Sequence, residues 1–582
     1  MKQPNRLLIV TGLVVCVTSL AAAFQLRRVD ADLNSAAESS EWLMVGHDYG
    51  EHRHSPLTQI TVSNVARLGQ AWSYDIGPGE GPKGTPLFAN GVLYGISTWS
   101  VTFAVDARTG KELWHYDPKA DRSTRLCCGV ISRGVALYEG KLIVPVIDGR
   151  VQALDAATGT LLWSARVVPE RKPGEAFPYS VTMAPRVVKG KVFIGNAGAE
   201  FTPYRGYVSA LDVNTGKELW RFYTVPGDPS KPFENEAMAL AAKTWAGEWW
   251  KMGGGGSIWD GMAFDPDTNL VYVGTGNGLP YPQELRHGGQ GPARMDNLYV
   301  ASILALSADT GALKWHYQCT PGDQWDYDAV QHLQLADLRI NGRDRKVVMQ
   351  ANKNGFFYVL DRVTGEFISG EPMAPVNWAR GLDPRTGRPL INDDAYYTST
   401  RAVTVQPYQT HAASQMSFNP ATGLVYVPIV ARGSLTYLAE ERFTPSPTGQ
   451  DRGTLAGPKV AESAPSVATP PAYGPVRTTT QSGILSAWDP VTQKERWFAV
   501  GGGPFGGVMS TAANLVFQTL SGGRLLAYRA DTGERLLDLP TGLTGAGPPI
   551  TYQVDGRQFV AFIGGGINTN AQLSVYAVDA AR

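Results

Sequence analysis

The chain has 582 residues, with 52 basic and 52 acidic side chains, 65 Gly, 39 Pro, 15 Trp and 4 Cys. A formal net charge of zero with no run of like charges excludes the electrostatic footprint of a nucleic-acid binder. Four cysteines exclude a disulfide scaffold. The length suggests several domains unless a repeat array absorbs it, so repeats are sought first.

Residues 1–23 read as an export signal: Lys2 and Arg6, a mostly apolar run from Leu7 to Leu20, then Ala21-Ala22-Ala23 as a small-residue cleavage site. That run is short for a bilayer span, and no later segment is long and apolar enough to cross. The mature chain, 24–582, is expected to be periplasmic or secreted, without a stable membrane span.

One pattern then recurs: two small or apolar residues, Asp, a turn with Thr-Gly, and a strand that often ends in Trp. It runs from Ala104-Val105-Asp106 to Trp114, Ala153-Leu154-Asp155 to Trp163, Ala210-Leu211-Asp212 to Trp220, and Ala305-Leu306-Ser307 to Trp315. Weaker copies are Val359-Leu360-Asp361 through Thr364-Gly365, Ala487-Trp488-Asp489 to Trp497, and Ala527-Tyr528-Arg529 through Thr532-Gly533. Each reads as a hairpin whose glycine supplies positive φ. An eighth copy is split between the ends: Tyr576-Ala577-Val578-Asp579 offers its first half and Gly69-Gln70-Ala71-Trp72 its Trp strand. The expectation is an all-β, eight-bladed β-propeller forming one domain, its ring closed by pairing of N- and C-terminal strands so that no sheet edge is left open. Two insertions, near 223–252 with Trp245, Trp249 and Trp250, and near 443–480, rich in Pro, Ser and Thr, are too long for hairpin turns and read as lids, binding loops or mobile segments.

A propeller alone implies no activity. Cys127-Cys128 is the most unusual local feature. Adjacent Cα atoms lie about 3.8 Å apart, below the usual disulfide separation of about 4.4–6.8 Å, so the pair is either a strained vicinal disulfide or two thiols. Gly198-Ala199-Glu200, Gly274-Thr275-Gly276-Asn277 and Trp325-Asp326-Tyr327-Asp328 each follow a strand beside a different repeat. Strands near a propeller axis converge, so these carboxylates and an amide can meet around one hard, oxygen-seeking cation.

Together these motifs resemble the quinoprotein alcohol dehydrogenases, which use pyrroloquinoline quinone (PQQ). The resemblance runs from His54-Ser55-Pro56-Leu57 to Leu520-Ser521-Gly522-Gly523 and includes Ser132-Arg133-Gly134, Thr244-Trp245-Ala246-Gly247 and Asn354-Gly355-Phe356-Phe357-Tyr358. It implies that a Cys127–Cys128 disulfide packs on one face of the quinone and Trp259 on the other, with Arg133 holding a cofactor carboxylate. Thr182, Ser257 and the Gly198-Ala199 backbone would add neutral hydrogen bonds, and Lys353 would donate to the reactive quinone oxygens. Glu200, Asn277 and Asp326 would ligate a metal ion, Asp326 serving also as general base. Asp328 is a further expected ligand: calcium-using relatives commonly have a small neutral residue there and the lanthanide-using branch an Asp, and an added carboxylate suits a trivalent ion. The implied reaction oxidises an alcohol to an aldehyde or ketone. With no Cys-x-x-Cys-His in the sequence, the electrons are expected to pass to an external acceptor such as a cytochrome c.

Three positions depart from the family pattern: Lys83 where many relatives have Glu, Ala412 where they have Asn, and Phe505 where they have Trp. The rival reading is a non-enzymatic propeller scaffold, which needs the repeats but not the Cys pair, Arg133, Trp259 or the metal ligands.

Overall fold

The computed structural model describes residues 33–123, 128–170, 179–291, 294–445, 451–458, 460, 467–501 and 506–580. The expected signal, Cys127 and Phe505 lie outside them. Among the described residues, eight sheets, each with four antiparallel strands, follow one another along the chain: 87–116, 136–166, 186–223, 262–318, 334–372, 417–500, 506–544, to which His54–Ser55 adds a fifth, parallel strand, and 550–578 joined by Leu68–Glu80. In the first five, each strand pairs with the next in sequence; in the sixth, Leu424–Val430 pairs with Gly483–Asp489 across an inserted segment. In the eighth, Leu68–Glu80 pairs antiparallel with Ile567–Val578, in a register running from Leu68 opposite Val578 to Glu80 opposite Ile567. The expected pairing of chain-end segments is therefore present. Among the described residues, α-helix is confined to short segments such as Glu236–Ala242 and Gln283–Arg286.

Each repeat copy is the hairpin between the third and fourth strands of a sheet. The aspartate makes the turn: Asp106 Oδ1 accepts hydrogen bonds from the backbone N–H of Arg108 and Thr109 and from Thr109 Oγ1, all at 3.0 Å. Asp155, Asp212 and Asp361 repeat the arrangement. Where a copy ends in Trp, the indole joins its sheet to the next. Trp114 Nε1 donates to the Ala156 carbonyl of the second sheet at 3.0 Å, and its ring covers Gly159, where a Cβ would fall 2.8 Å from the indole. Trp163, Trp220, Trp315 and Trp497 dock in the same way onto Gly216, Gly311, Gly365 and Gly533. Trp72, in the eighth sheet, covers Gly110 in the first. The seam between the fifth and sixth sheets breaks the rule on both sides at once. Ser369 stands where Trp would, and the turn residue is Gln493, at φ +54°, whose Nε2 donates to Ser369 Oγ at 2.9 Å.

The insertion at 223–252 is packed rather than loose. Asn235 caps Glu236–Ala242 by accepting the Met238 N–H at 3.0 Å. Trp245 Nε1 donates to Leu298 O and Trp249 Nε1 to Pro226 O, and both indoles pack with Val225 and Val300 in a small satellite core. In the 443–480 region, Thr454–Ala456 and Val467–Ala468 complete an additional sheet with Ala402–Val405 and Leu435–Ala439. That sheet draws half its strands from outside the predicted insertion.

Several histidines are buried without a charged partner. Burial pushes His47, His54 and His411 down to about 4. A depressed pKa means the unfolded chain takes up protons that the fold excludes, so stability falls as pH drops from about 6.5 toward 4. His52 opposes this: Asp48, 2.7 Å from its Nδ1, outweighs burial and raises its pKa. The expected net result is a loss of unfolding free energy approaching about 1.4 kcal/mol per pH unit for each fully shifted histidine, read by urea denaturation at pH 7 and 4.5. An unchanged midpoint would contradict it.

Candidate active site

In an antiparallel sheet, the start of the first strand and the end of the second lie at the same end, and loops from those ends line one cavity of about 450 Å³. Every sheet contributes: Lys83 before the first, Cys128 and Arg133 before the second, Thr182 and Glu200 around the third, and Trp259 and Asn277 around the fourth. Asp326, Asp328 and Lys353 come from the fifth, Gln409 and Ala412 from before the sixth, and Gly506 and Gly547 from the seventh and eighth. Side chains scattered over nearly 500 positions are thus brought to one place by the repeat alone.

Asp326 is presented by its neighbours. Trp325 and Tyr327 are fully buried, the Trp325 indole donating to Ala395 O and the Tyr327 hydroxyl to Pro407 O. The Asp323 carboxylate accepts both of their backbone N–H groups at 2.9 Å. Asp326 between them sits at φ +64°, a conformation costing a non-glycine residue about 1 kcal/mol or more, and its side chain emerges into the cavity.

A charged cluster surrounds it. The Lys353 ammonium lies 3.2 Å from Asp326 Oδ1 and 2.5 Å from Asp328 Oδ1. Asp328 Oδ2 accepts Trp259 Nε1–H at 3.0 Å, and Asp326 Oδ2 accepts Gln409 Nε2–H at 3.1 Å. Burial raises the pKa of Asp328, an effect the lysine opposes and Asp326 reinforces. Burial also raises that of Glu200, whose carboxylate accepts the Ser257 hydroxyl. For Lys353 burial pulls downward, but the two facing aspartates prevail and hold the ammonium charged. Asn277 donates its Nδ2–H to Gly278 O at 3.1 Å, leaving its side-chain oxygen for a ligand. Among the described residues no three His, Cys, Asp or Glu side chains form a metal-holding group by themselves. The grouping instead mixes three carboxylates, an amide oxygen and an ammonium.

Arg133 lies over the Trp259 ring, 4.7 Å from its centroid, and donates to Thr182 Oγ1 at 2.9 Å. Of the sequence-predicted residues, Cys128, Arg133, Thr182, Gly198, Glu200, Trp259, Asn277, Asp326, Asp328 and Lys353 line the cavity. Ser257 and Ala199 stand one layer behind: the Ala199 N–H donates to Ser257 Oγ at 2.9 Å, and that hydroxyl serves Glu200. Sequence reasoning missed Gln409, Asp260, Gln415, Tyr281 and Arg452. Asp260 had one available signal, its place directly after Trp259. The others sit on irregular loops where no periodicity indicates direction.

A family model described as the PQQ glucose/ethanol/alcohol dehydrogenase β-propeller domain matches residues 42–380 and 473–560. The chain is 44% identical to the quinohemoprotein alcohol dehydrogenase ADH IIB of Pseudomonas putida, covering 100% of this chain and 83% of that protein. The crystal structure of the quinohemoprotein alcohol dehydrogenase from Comamonas testosteroni superposes with a TM-score of 0.87 at 42% identity, over 97% of this chain and 84% of that one. A europium-containing methanol dehydrogenase superposes at 0.79 with 28% identity, over 94% of this chain and 100% of that one. The fold is accordingly a β-propeller, and the chain belongs to the PQQ-dependent glucose/ethanol/alcohol dehydrogenase family.

Proposed function

We propose that this protein oxidises an alcohol to an aldehyde or ketone in the cavity around Asp326, using bound PQQ and one Ca²⁺ or lanthanide ion. The observation that carries it is the convergence of Asp326, Lys353, Glu200, Trp259 and Arg133 on one cavity, which a scaffold has no need to build. The eight sheets read as eight blades of a closed ring, supported by the Leu68–Glu80 pairing and by Trp72 docking on Gly110. Periplasmic or secreted location rests on the signal-like residues 1–23.

The residues fit both groups. Trp259 offers a flat apolar face, and Lys83, Arg133 and Lys353 line the cavity with cations, a combination suited to a planar polycarboxylate. The raised pKa values of Glu200 and Asp328 reflect buried negative charge that a metal ion would relieve. Glu200, Asn277 and Asp326 would hold that ion. Asp328 could join them only by giving up its contacts to Trp259 and Lys353. When bound, the quinone would take the carbinol hydrogen together with its two electrons, and the metal ion would supply Lewis-acid assistance. Asp326 accepts the hydroxyl proton, its carboxylate steered by Gln409 on one oxygen and Lys353 on the other. Lys353, kept charged, would donate to the quinone oxygens, and Trp259 would offer its ring as an apolar wall that keeps water away. The electrons then pass to an acceptor such as a cytochrome c, the acceptor named for a butanol dehydrogenase 41% identical to this chain.

The test is reconstitution. The unloaded chain is expected to reduce an artificial dye with an alcohol only after PQQ is added with Ca²⁺ or La³⁺. Absence of stimulation under either metal across a panel of primary, secondary and polyhydric alcohols removes the reading. A clear preference for La³⁺ places Asp328 on the metal.

A further inference from the structure

Arg133 is braced from behind by a residue to which the quinone reading gives no task. Its Nε lies 3.3 Å from Asp260 Oδ2, and the two side chains are 10% and 6% exposed. The same oxygen accepts Gln415 Nε2–H at 3.3 Å. Asp260 belongs to the fourth-sheet loop, Arg133 to the second and Gln415 to the sixth, so one carboxylate ties together three walls of the cavity. Beyond it lies a second buried group, in which Arg186 Nε is 2.6 Å from Glu51 Oε1 and His332 Nε2 is 3.3 Å from Glu51 Oε2.

Isolating a carboxylate from water costs several kcal/mol, and a buried ion pair by itself seldom repays it. Burial does raise the Asp260 pKa, while Arg133, Arg186 and His332 pull it back. The geometry indicates what the expense achieves. A guanidinium is planar, so fixing Nε against Asp260 and Nη1 against Thr182 Oγ1 sets the direction in which the rest of the fork points. We infer that Asp260 is a positioning residue: it holds the plane of Arg133 so that the remaining guanidinium edge meets a carboxylate of the cofactor. This rests on the reading that the cavity takes PQQ. It adds a residue that acts through Arg133 and touches no reacting atom.

The experiment is equilibrium dialysis of PQQ, with Ca²⁺ in excess, against the full chain and its Asp260→Asn, Arg133→Ala and doubly substituted forms. D260N is expected to bind PQQ roughly tenfold more weakly, and the double variant no more weakly than R133A alone, because both changes remove the same contact. Equal affinity of D260N and the unsubstituted chain, or losses that simply add in the double variant, overturns the inference. If D260N does not fold, Asp260→Glu replaces it. Its longer arm displaces the guanidinium, so a loss of several-fold supports the inference and unchanged affinity refutes it. Failure of the unsubstituted chain to bind PQQ overturns the parent reading instead, and the two failures are told apart by that one control.

Discussion

Asp326→Asn, loaded with PQQ and Ca²⁺ or La³⁺, is expected to turn over alcohol about 10²–10⁴-fold more slowly than the unsubstituted enzyme, the range general-base removal commonly produces. Asparagine keeps the volume and an oxygen that can accept from Gln409, now 3.1 Å away, so the loop anchored by Trp325 and Tyr327 should hold its shape. What it lacks is an oxygen able to take a proton and a charge to balance Lys353. Pre-steady-state rates of cofactor reduction isolate the proton-abstraction step from later electron transfer, and dialysis of bound PQQ separates slow chemistry from empty enzyme. A variant that is fully loaded and retains a tenth of the rate would falsify the assignment of Asp326 as base.

Trp114→Ala is expected to cost about 3–5 kcal/mol, as large-to-small replacement of a packed aromatic does. The indole is 8% exposed, spans the seam between the first and second sheets, and donates to Ala156 O at 3.0 Å. Gly159→Ala attacks the same seam from the other side: its Cβ would stand 2.8 Å from the ring, at a φ of +72°. Here about 1–2 kcal/mol comes from the backbone conformation and the rest from the clash. In the double variant the clash has no ring to meet, so the combined loss should fall short of the sum. Chemical denaturation of the four proteins measures this. Strict additivity would mean that the tryptophan and the glycine do not constrain one another.

That pairing was half visible in the sequence. The Asp-x-Thr-Gly turns and terminal tryptophans announced the hairpins, but not that each indole rests on the glycine of the following sheet, since the two residues lie from 36 (Trp497 and Gly533) to 91 (Trp220 and Gly311) positions apart. Ser369 and Gln493 are a matched exchange across one seam. The site shows a similar division. Glu200 and Asn277 follow the strands Lys191–Gly195 and Leu270–Gly274 closely, Asp326 was legible through its Trp-Asp-Tyr-Asp motif, and all three line the cavity. Ser257 was placed one layer too far forward, because nothing local distinguishes a hydroxyl that faces a ligand from one that faces Glu200. Gln409, on an irregular loop at φ +51°, left no trace in periodicity.

The long antiparallel match between Leu68–Glu80 and Ile567–Val578 also governs the order of assembly. Gln70 and Ser574, in contact across it, are 504 positions apart, so the early strand waits with its backbone unsatisfied until almost the whole polypeptide has been made. Acquisition of the final pairing should be the slow, late event of folding, and the intermediate before it the species most inclined to associate with its own kind. Trimming a dozen residues from the carboxyl end would leave the molecule trapped at that stage.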